Sequence, residues 1–243
     1  MKRSFGAWAM VVALFVTTLA LAKKKPPTPP SAPAVKQWAL SNGLEVVYLG
    51  AGRAPVVAVQ VWYHVGSKEE PRERRGLARL VERLMWTASR DVAAGEFARA
   101  IDGVGGESNS STSEDATVFS NTVPKVHFDL IARLESERMR GLVLSPDAIQ
   151  AEREGLRREL RSRSETNPVL GAFDRFRELT YARHPYAWTP RGRLANLEAV
   201  SPAEVRHFYD AYYQPNNATL VVVGDVNEEE VQKSAARWFD RLA

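Results

Sequence analysis

The sequence contains no cysteine and only four histidines among its 243 residues. The absence of cysteine excludes disulfide bonds, thiolate metal ligands and a lipid-modified cysteine. No apolar run reaches the roughly 20 residues that a membrane-spanning helix needs. The formal net charge of +4 is modest and gives no reason to expect nucleic acid as a partner. The composition therefore indicates a protein that folds around a hydrophobic core.

The N-terminal segment differs in composition from the rest of the chain. A basic dipeptide followed by an apolar run that ends in Ala-Leu-Ala is typical of a secretory signal peptide, which we assign to residues 1–22. Residues 23–34 are rich in lysine and proline and form a linker that cannot pack. We expect a periplasmic or secreted protein, not membrane-bound after signal cleavage, with a single domain over residues 35–243.

Turn and capping signals predict the order of the secondary structure. Asn42-Gly43 between two β-prone runs predicts a hairpin, and the valine-rich run 55–65 predicts a buried central strand. Ser201 and Asn227 are predicted N-caps of two late helices. The other predicted elements are helices near 76–87, 97–103, 124–141, 145–164 and 168–181, β segments within 107–122, and a strand at 219–223. This order indicates an α+β layered fold with helices packed on a mostly antiparallel sheet.

The helix that begins near Gly76 carries two distinct faces. Its apolar residues recur at the spacing of one buried helical face. Arg79, Glu82 and Arg83 lie on a second face, with Trp86 at the same spacing. Considered alone, such a charged stripe is usually a solvated helix surface with weak local ion pairs.

This stretch resembles the zinc metallopeptidase family of insulinase, pitrilysin and the mitochondrial processing peptidase, whose helix carries an inverted His-x-x-Glu-His motif. Val65-Gly66-Ser67 before the helix and the residues after it follow the family order over most of the chain. The later matching segments are Gly106–Thr117, Glu152–Leu160, Asn167-Pro168, His184-Pro185-Tyr186, Gly192, Tyr213–Leu220 and Val223-Gly224-Asp225.

The resemblance assigns roles to the charged residues. Glu82 corresponds to the general base of the family, Glu159 to its third zinc ligand and Glu152 to a supporting carboxylate. Both histidine positions, however, are arginine: Arg79 and Arg83. A guanidinium has no acceptor nitrogen and remains protonated. We therefore predict that the zinc expected in the family is absent here, with no other cofactor.

Two explanations of the arginines remain open. In one, Arg79 and Arg83 form ion pairs with Glu82, Glu152 or Glu159, and the cluster replaces the charge of the metal. In the other, the positions drifted after the metal was lost. A zinc site elsewhere is disfavoured because the four histidines share no ligand-like spacing; they are His64, His127, His184 and His207.

A second candidate site lies on the serine-rich β segment. In the family, the corresponding strand adds an extended peptide to the edge of the sheet. The residues that fit this role are Gly106, Asn109, Ser110 and Thr112. The alternative is a hairpin whose polar side chains simply face water.

The resemblance implies a catalytically degenerate, N-terminal domain of the family. We predict a non-catalytic subunit that binds peptides or unfolded protein, or helps to form a peptide chamber. It would form a heterodimer with a related chain carrying the intact zinc motif. One alternative is an architectural subunit, like the core proteins of the respiratory cytochrome bc complex. The other is an active metalloendopeptidase with an altered metal site.

Overall fold

The computed structural model describes residues 34–52, 54–166 and 168–242. The predicted signal peptide and all but the last residue of the predicted linker lie outside these ranges. The strands are β1 (Lys36–Ala39), β2 (Glu45–Gly50), β3 (Val56–Tyr63), β4 (Glu107–Thr112), β5 (Thr117–Pro124) and β6 (Ala218–Gly224). The helices are α1 (Leu77–Leu84), α2 (Glu96–Asp102), α3 (Phe128–Arg140), α4 (Pro146–Thr166), α5 (Pro168–Tyr181), α6 (Leu194–Glu198), α7 (Pro202–Tyr212) and α8 (Glu228–Trp238).

The strands form one sheet in the order β1-β2-β6-β3-β5-β4. All neighbouring pairs are antiparallel except β2 and β6, which are parallel. The last strand therefore inserts between two strands formed early in the chain. The α+β fold with helices on a mostly antiparallel sheet is confirmed, and β4 lies at one edge of the sheet.

The first hairpin and the central strand form where the sequence predicts them. Gly43 adopts a φ of +87°, which glycine tolerates best, and the Leu40 amide donates to the carbonyl of Leu44 at 2.9 Å. Alternate residues of β3 are buried, so one face of the sheet supports the helices. The predicted long strand is shortened to Val56–Tyr63.

The capping signals also give the observed helix starts. The Ser201 side chain accepts the amide of Glu204, and the Asn227 side chain accepts the amide of Glu230. The helix predicted to begin near residue 124 instead starts at Phe128, after a short 3-10 turn. Helix α6 has no counterpart among the sequence predictions. Helix α1 packs between α4 and β4, and this places its charged face between two other elements.

Candidate functional site

Helix α1 begins at a strained turn anchored by a buried carboxyl group. Gly76 has a φ of +98°, a conformation that favours glycine. Glu70 accepts the backbone amides of Gly76 at 2.9 Å and Ala78 at 2.8 Å, so its side chain caps the first turn. Burial raises the pKa of the Glu70 carboxyl to about 8, although both amide donors oppose that shift. This anchor fixes the start of the helix that presents the charged residues.

Glu82 is the most deeply buried charged residue of the site, with only 1% of its surface exposed. Arg79 Nη1 donates to both of its carboxylate oxygens, at 2.7 and 2.6 Å. Ser110 Oγ donates to Oε1 at 2.6 Å, and Thr112 Oγ1 donates to Oε2. The Glu82 carboxylate, which the family resemblance identifies as a general base, therefore already accepts hydrogen bonds from three side chains of the same chain.

Arg83 faces the two carboxylates of α4. Its Nε donates to Glu152 Oε2 at 2.8 Å, and its Nη1 lies 3.6 Å from Glu159 Oε2. Arg79 Nη2 lies 3.9 Å from the same Glu159 oxygen. The structure thus brings together all five residues expected from the sequence, and it pairs both arginines with glutamates as the ion-pair hypothesis requires.

The surface of α4 is shaped to accept the Arg83 side chain. A Cβ atom added at Gly155 would lie 2.7 Å from Arg83 Nη2, far closer than normal van der Waals contact. A glycine inside a helix is less favourable than alanine by about 1 kcal/mol, so its position is informative. Sequence reasoning did not single out this glycine, and only the structure shows that it makes room for the guanidinium.

The ion pairs are only partly buried. Arg79 and Arg83 side chains are 27% and 30% exposed, and Glu152 and Glu159 are 26% and 27% exposed. Solvent screening weakens such pairs to about 1 kcal/mol or less. Removing one partner of a fully buried ion pair lowers stability by about 3–5 kcal/mol. In this cluster, only the pair that contains the buried Glu82 can approach that cost.

The residues at this position do not fit a zinc ion. Two of the places from which neutral imidazoles would bind hold guanidiniums, which only donate hydrogen bonds. In the described ranges, no group of three or more histidine, aspartate or glutamate side chains has the arrangement of a metal site. His64 Nε2 instead lies 3.0 Å from Thr219 Oγ1, and His184 Nδ1 accepts the amide of Tyr186. The absence of zinc itself stays a prediction.

Three of the residues proposed for peptide binding lie on β4, and Gly106 directly precedes that strand. Ser110 and Thr112 point toward Glu82, while the Asn109 side chain is exposed and accepts the Ser110 amide at 2.8 Å. Gly106 is required by packing, because a Cβ there would lie 2.6 Å from Val123 Cγ1. Gly106 therefore has a packing role, and the side chains of Ser110 and Thr112 are already bonded to Glu82.

A cleft lies between the end of β4 and α5. Its volume is about 260 Å³, and its walls include Arg79, Thr112, Phe173, Arg177 and Thr189. The Phe173 side chain is part of an exposed apolar stripe on α5, and Phe173 itself is 50% exposed. One wall is thus a polar strand edge, and α5 contributes the aromatic ring of Phe173 and the guanidinium of Arg177 to the other. A strand edge opposite a partly apolar wall is suited to an extended peptide.

Sequence reasoning missed a buried support beneath the site. The Trp86 indole donates to Ser110 Oγ at 2.8 Å, and Ser110 in turn donates to Glu82. The guanidinium carbon of Arg138 lies 4.2 Å from the centre of the Trp86 ring. The helical spacing of Trp86 placed it on the charged face, but its partners come from distant segments.

Comparison with known proteins identifies the family of the fold. Residues 45–189 match the family described as Insulinase (Peptidase family M16). The chain belongs to this peptidase family. Residues 199–243 also match the description Peptidase M16 inactive domain.

Relatives in this family include proteins named as zinc proteases. Zinc protease PqqE of Helicobacter pylori is 34% identical over 204 residues, which are 84% of this chain and 46% of that protein. A crystal structure of a protease from Helicobacter pylori has a TM-score of 0.84 and 34% identity, and covers 86% of this chain and 51% of that chain.

A more distant relative shares the fold. The first half of the periplasmic protease PqqL from Escherichia coli has a TM-score of 0.77 and 24% identity, and covers 86% of this chain and 46% of that chain. The chain thus spans about half the length of the curated relatives it matches first. It is a homologue of the zinc proteases of this family, with the two arginines described above at its motif.

Proposed function

We propose that the chain does not hydrolyse peptides on its own and contributes a peptide-holding surface to an assembly with a related, zinc-containing subunit. The observation that carries this proposal is the engagement of Arg79 and Arg83 by Glu82, Glu152 and Glu159. A guanidinium offers no lone pair to a metal and cannot accept a proton from water. The two side chains therefore remove the groups on which hydrolysis in this family depends.

Charge balance supports the retention of the fold without metal. Two neutral imidazoles and a zinc ion would carry +2 against the three carboxylates, and two arginines carry the same charge. The observed pairs distribute that charge over Glu82 on one side and the α4 glutamates on the other. The site can therefore keep its shape, and with it the neighbouring cleft, while losing its chemistry.

The edge strand β4 supports a peptide-binding role. An extended peptide would add to the open edge of β4 through backbone hydrogen bonds, with its side chains alternating between the cleft and solvent. Asn109, Ser110 and Thr112 lie along this edge.

Export is part of the proposal. The signal-peptide pattern over residues 1–22 supports it. The relative PqqL of Escherichia coli is described as a periplasmic protease. Among the described residues, no helix has the length and apolar character needed to cross a membrane.

The test of inactivity compares zinc-dependent hydrolysis before and after restoring the imidazoles. We expect the wild-type protein to leave an unfolded, labelled peptide intact, and Arg79→His/Arg83→His to gain bound zinc. Arg99→His/Arg237→His is a matched control, because it adds two imidazoles at exposed positions away from the cleft. Chelator-sensitive hydrolysis by the wild-type protein would contradict the proposal.

The test of peptide binding uses two forms of one extended peptide, with and without N-methylation of alternate amides. Because strand addition uses backbone amides, N-methylation should weaken binding about tenfold or more. Binding is measured by fluorescence anisotropy. Equal affinity for the two forms would exclude addition to β4, and no binding of either form would exclude a peptide-holding role and favour an architectural subunit.

A further inference from the structure

A second cavity lies beside the cleft and is lined by arginines. Its volume is about 330 Å³, and it is lined by α5 and by the segment that follows His184-Pro185-Tyr186. We call it the arginine pocket; its lining includes Arg75, Gly171, Arg175, Trp188 and Arg193. None of these residues takes part in the ion-pair cluster of Arg79, Glu82, Arg83, Glu152 and Glu159.

Three guanidiniums share one carboxylate in this pocket. Arg75 Nη1 lies 3.5 Å from Glu178 Oε1, and Arg193 Nη2 contacts the same oxygen. Arg175 Nη1 lies 3.3 Å from Glu178 Oε2. The other acidic residue in the lining, Asp174, lies 3.7 Å from a fourth guanidinium, that of Arg191. The arginine pocket therefore has more positive than negative charge.

Arg75 is held in place independently of any ligand. It is 8% exposed, and its guanidinium carbon lies 4.7 Å from the centre of the Trp188 ring. Within the described part of the chain, its Nε–H has no hydrogen-bond acceptor. Burial lowers the pKa of Arg75, and the nearby Arg193 and Arg72 lower it further. An anion near this guanidinium would relieve that repulsion.

A glycine within α5 leaves the arginine pocket open. A Cβ atom added at Gly171 would meet no atom within 4 Å, so packing within the chain does not require glycine at this position. A glycine inside a helix lowers its stability relative to alanine by about 1 kcal/mol. The open space beside this residue is part of the pocket volume.

The arginine pocket adjoins the cleft. Thr189 lines both, and successive residues of α5 line one or the other, Phe173 the cleft and Asp174 the pocket. A peptide held in the cleft would therefore lie next to the pocket. Arginine pairs with carboxylates through two parallel N–H donors, and Arg175 and Arg193 are exposed enough to reorient, at 69% and 58%.

We propose that the arginine pocket binds the carboxylate of an acidic residue in the peptide held by the cleft. This inference rests on the proposed peptide-binding function and assigns it a substrate class: unfolded peptides that carry aspartate or glutamate. The carboxylate pairs with Arg175 and Arg193 while Arg75 contributes its fixed charge at the back of the pocket.

The experiment uses two peptides that are identical except for one glutamate-to-glutamine exchange, and succinate as a free carboxylate. We expect the glutamate peptide to bind about tenfold more tightly than the glutamine peptide in anisotropy titrations. Gly171→Leu fills the pocket, and Arg175→Ala/Arg193→Ala removes two exposed cations. Both variants should lose the preference, and Arg99→Ala/Arg237→Ala, which changes the net charge equally, should keep it.

The outcomes separate this inference from the proposed function. Equal affinity for the two peptides, or a preference that survives both pocket variants, would overturn the pocket and leave peptide binding intact. Succinate binding that is detected by calorimetry and lost in Gly171→Leu, with neither peptide bound, would support the pocket as an anion site and overturn the peptide-holding role.

Discussion

The arginines of the candidate site and the arginine buried in the core balance their charge in different ways. Arg138 in the core is 0% exposed and has one carboxylate partner, Glu135, at 3.0 Å. Its guanidinium also lies over the faces of three aromatic rings, those of Trp86, Phe97 and Phe119. At the site, by contrast, partly exposed arginines share three carboxylates.

The difference separates charges on which the stability of the fold depends from charges that can be changed at little cost in stability. A fully buried cation cannot lose its partner without leaving an uncompensated charge in the core. Partly exposed ion pairs are screened by water and can be exchanged at little cost in stability. Glu82 lies between these regimes, because it is buried but bonded to a partly exposed arginine.

Replacing Arg138 should have the largest effect. In Arg138→Met, Glu135 keeps the Asn121 side-chain donor but loses its counter-charge in a buried position. We expect the free energy of unfolding to fall by about 3–5 kcal/mol in chemical denaturation. Adding Glu135→Gln should recover part of this loss. A loss below about 1 kcal/mol would show that the core pair resembles the site pairs.

Removing Glu82 should have the next largest effect. Glu82→Ala leaves Arg79, Ser110 and Thr112 without their shared acceptor. We expect a loss of about 2–3 kcal/mol, as for hydrogen bonds to a charged group. Glu159→Ala is the comparison within the cluster and should cost less, because that side chain is 27% exposed. Equal losses for both variants would remove the distinction between buried and exposed members of the cluster.

The pH dependence of stability should report the carboxyl group that caps α1. The pKa of Glu70 is raised from 4.5 to about 8, so the folded state holds its proton more tightly than the unfolded state does. The free energy of unfolding contributed by this group is therefore greatest at low pH and falls as the pH rises toward 8. Between about pH 6 and pH 8 we expect a decrease of about 2 kcal/mol.

The control for this pH dependence is Glu70→Gln. This variant loses one acceptor for the amides of Gly76 and Ala78 and should be less stable at low pH. It should nevertheless lack the decrease, because a carboxamide does not titrate. Parallel pH profiles for the two proteins would contradict the assignment to Glu70.

The smallest effect should come from the fit between Arg83 and Gly155. Arg83→Met alone should cost at most about 1 kcal/mol. Gly155→Ala in the wild type forces Arg83 Nη2 to move, because the new Cβ would lie 2.7 Å from it. In the Arg83→Met background the same change should stabilise α4 by up to about 1 kcal/mol, and in the wild type this gain should be smaller or absent. An equal change in both backgrounds would mean that Gly155 does not make room for the guanidinium.

Features set by local sequence were predictable. Asn42-Gly43 gave the first hairpin, and Ser201 and Asn227 gave the starts of α7 and α8, because each signal acts within a few residues. The position of β6 between β2 and β3 was not predicted, since strand order depends on contacts between distant segments. The short helix α6 was missed for lack of a clear periodic pattern.

The candidate site was predictable in its membership but not in its surroundings. The family motif supplied Arg79, Glu82, Arg83 and the α4 glutamates. It did not supply the contact between Gly155 and Arg83, which arises only when α1 and α4 pack together. Likewise, nothing in the sequence near Trp86 indicates its position above Arg138.

The zinc content of the wild-type protein tests the central claim most directly. The protein is purified without chelator, dialysed against buffer containing zinc and then against metal-free buffer, and measured by inductively coupled plasma mass spectrometry. Because guanidiniums fill both imidazole positions, we expect far less than one zinc ion per chain. One equivalent of tightly held zinc that disappears in Glu159→Ala would contradict the account.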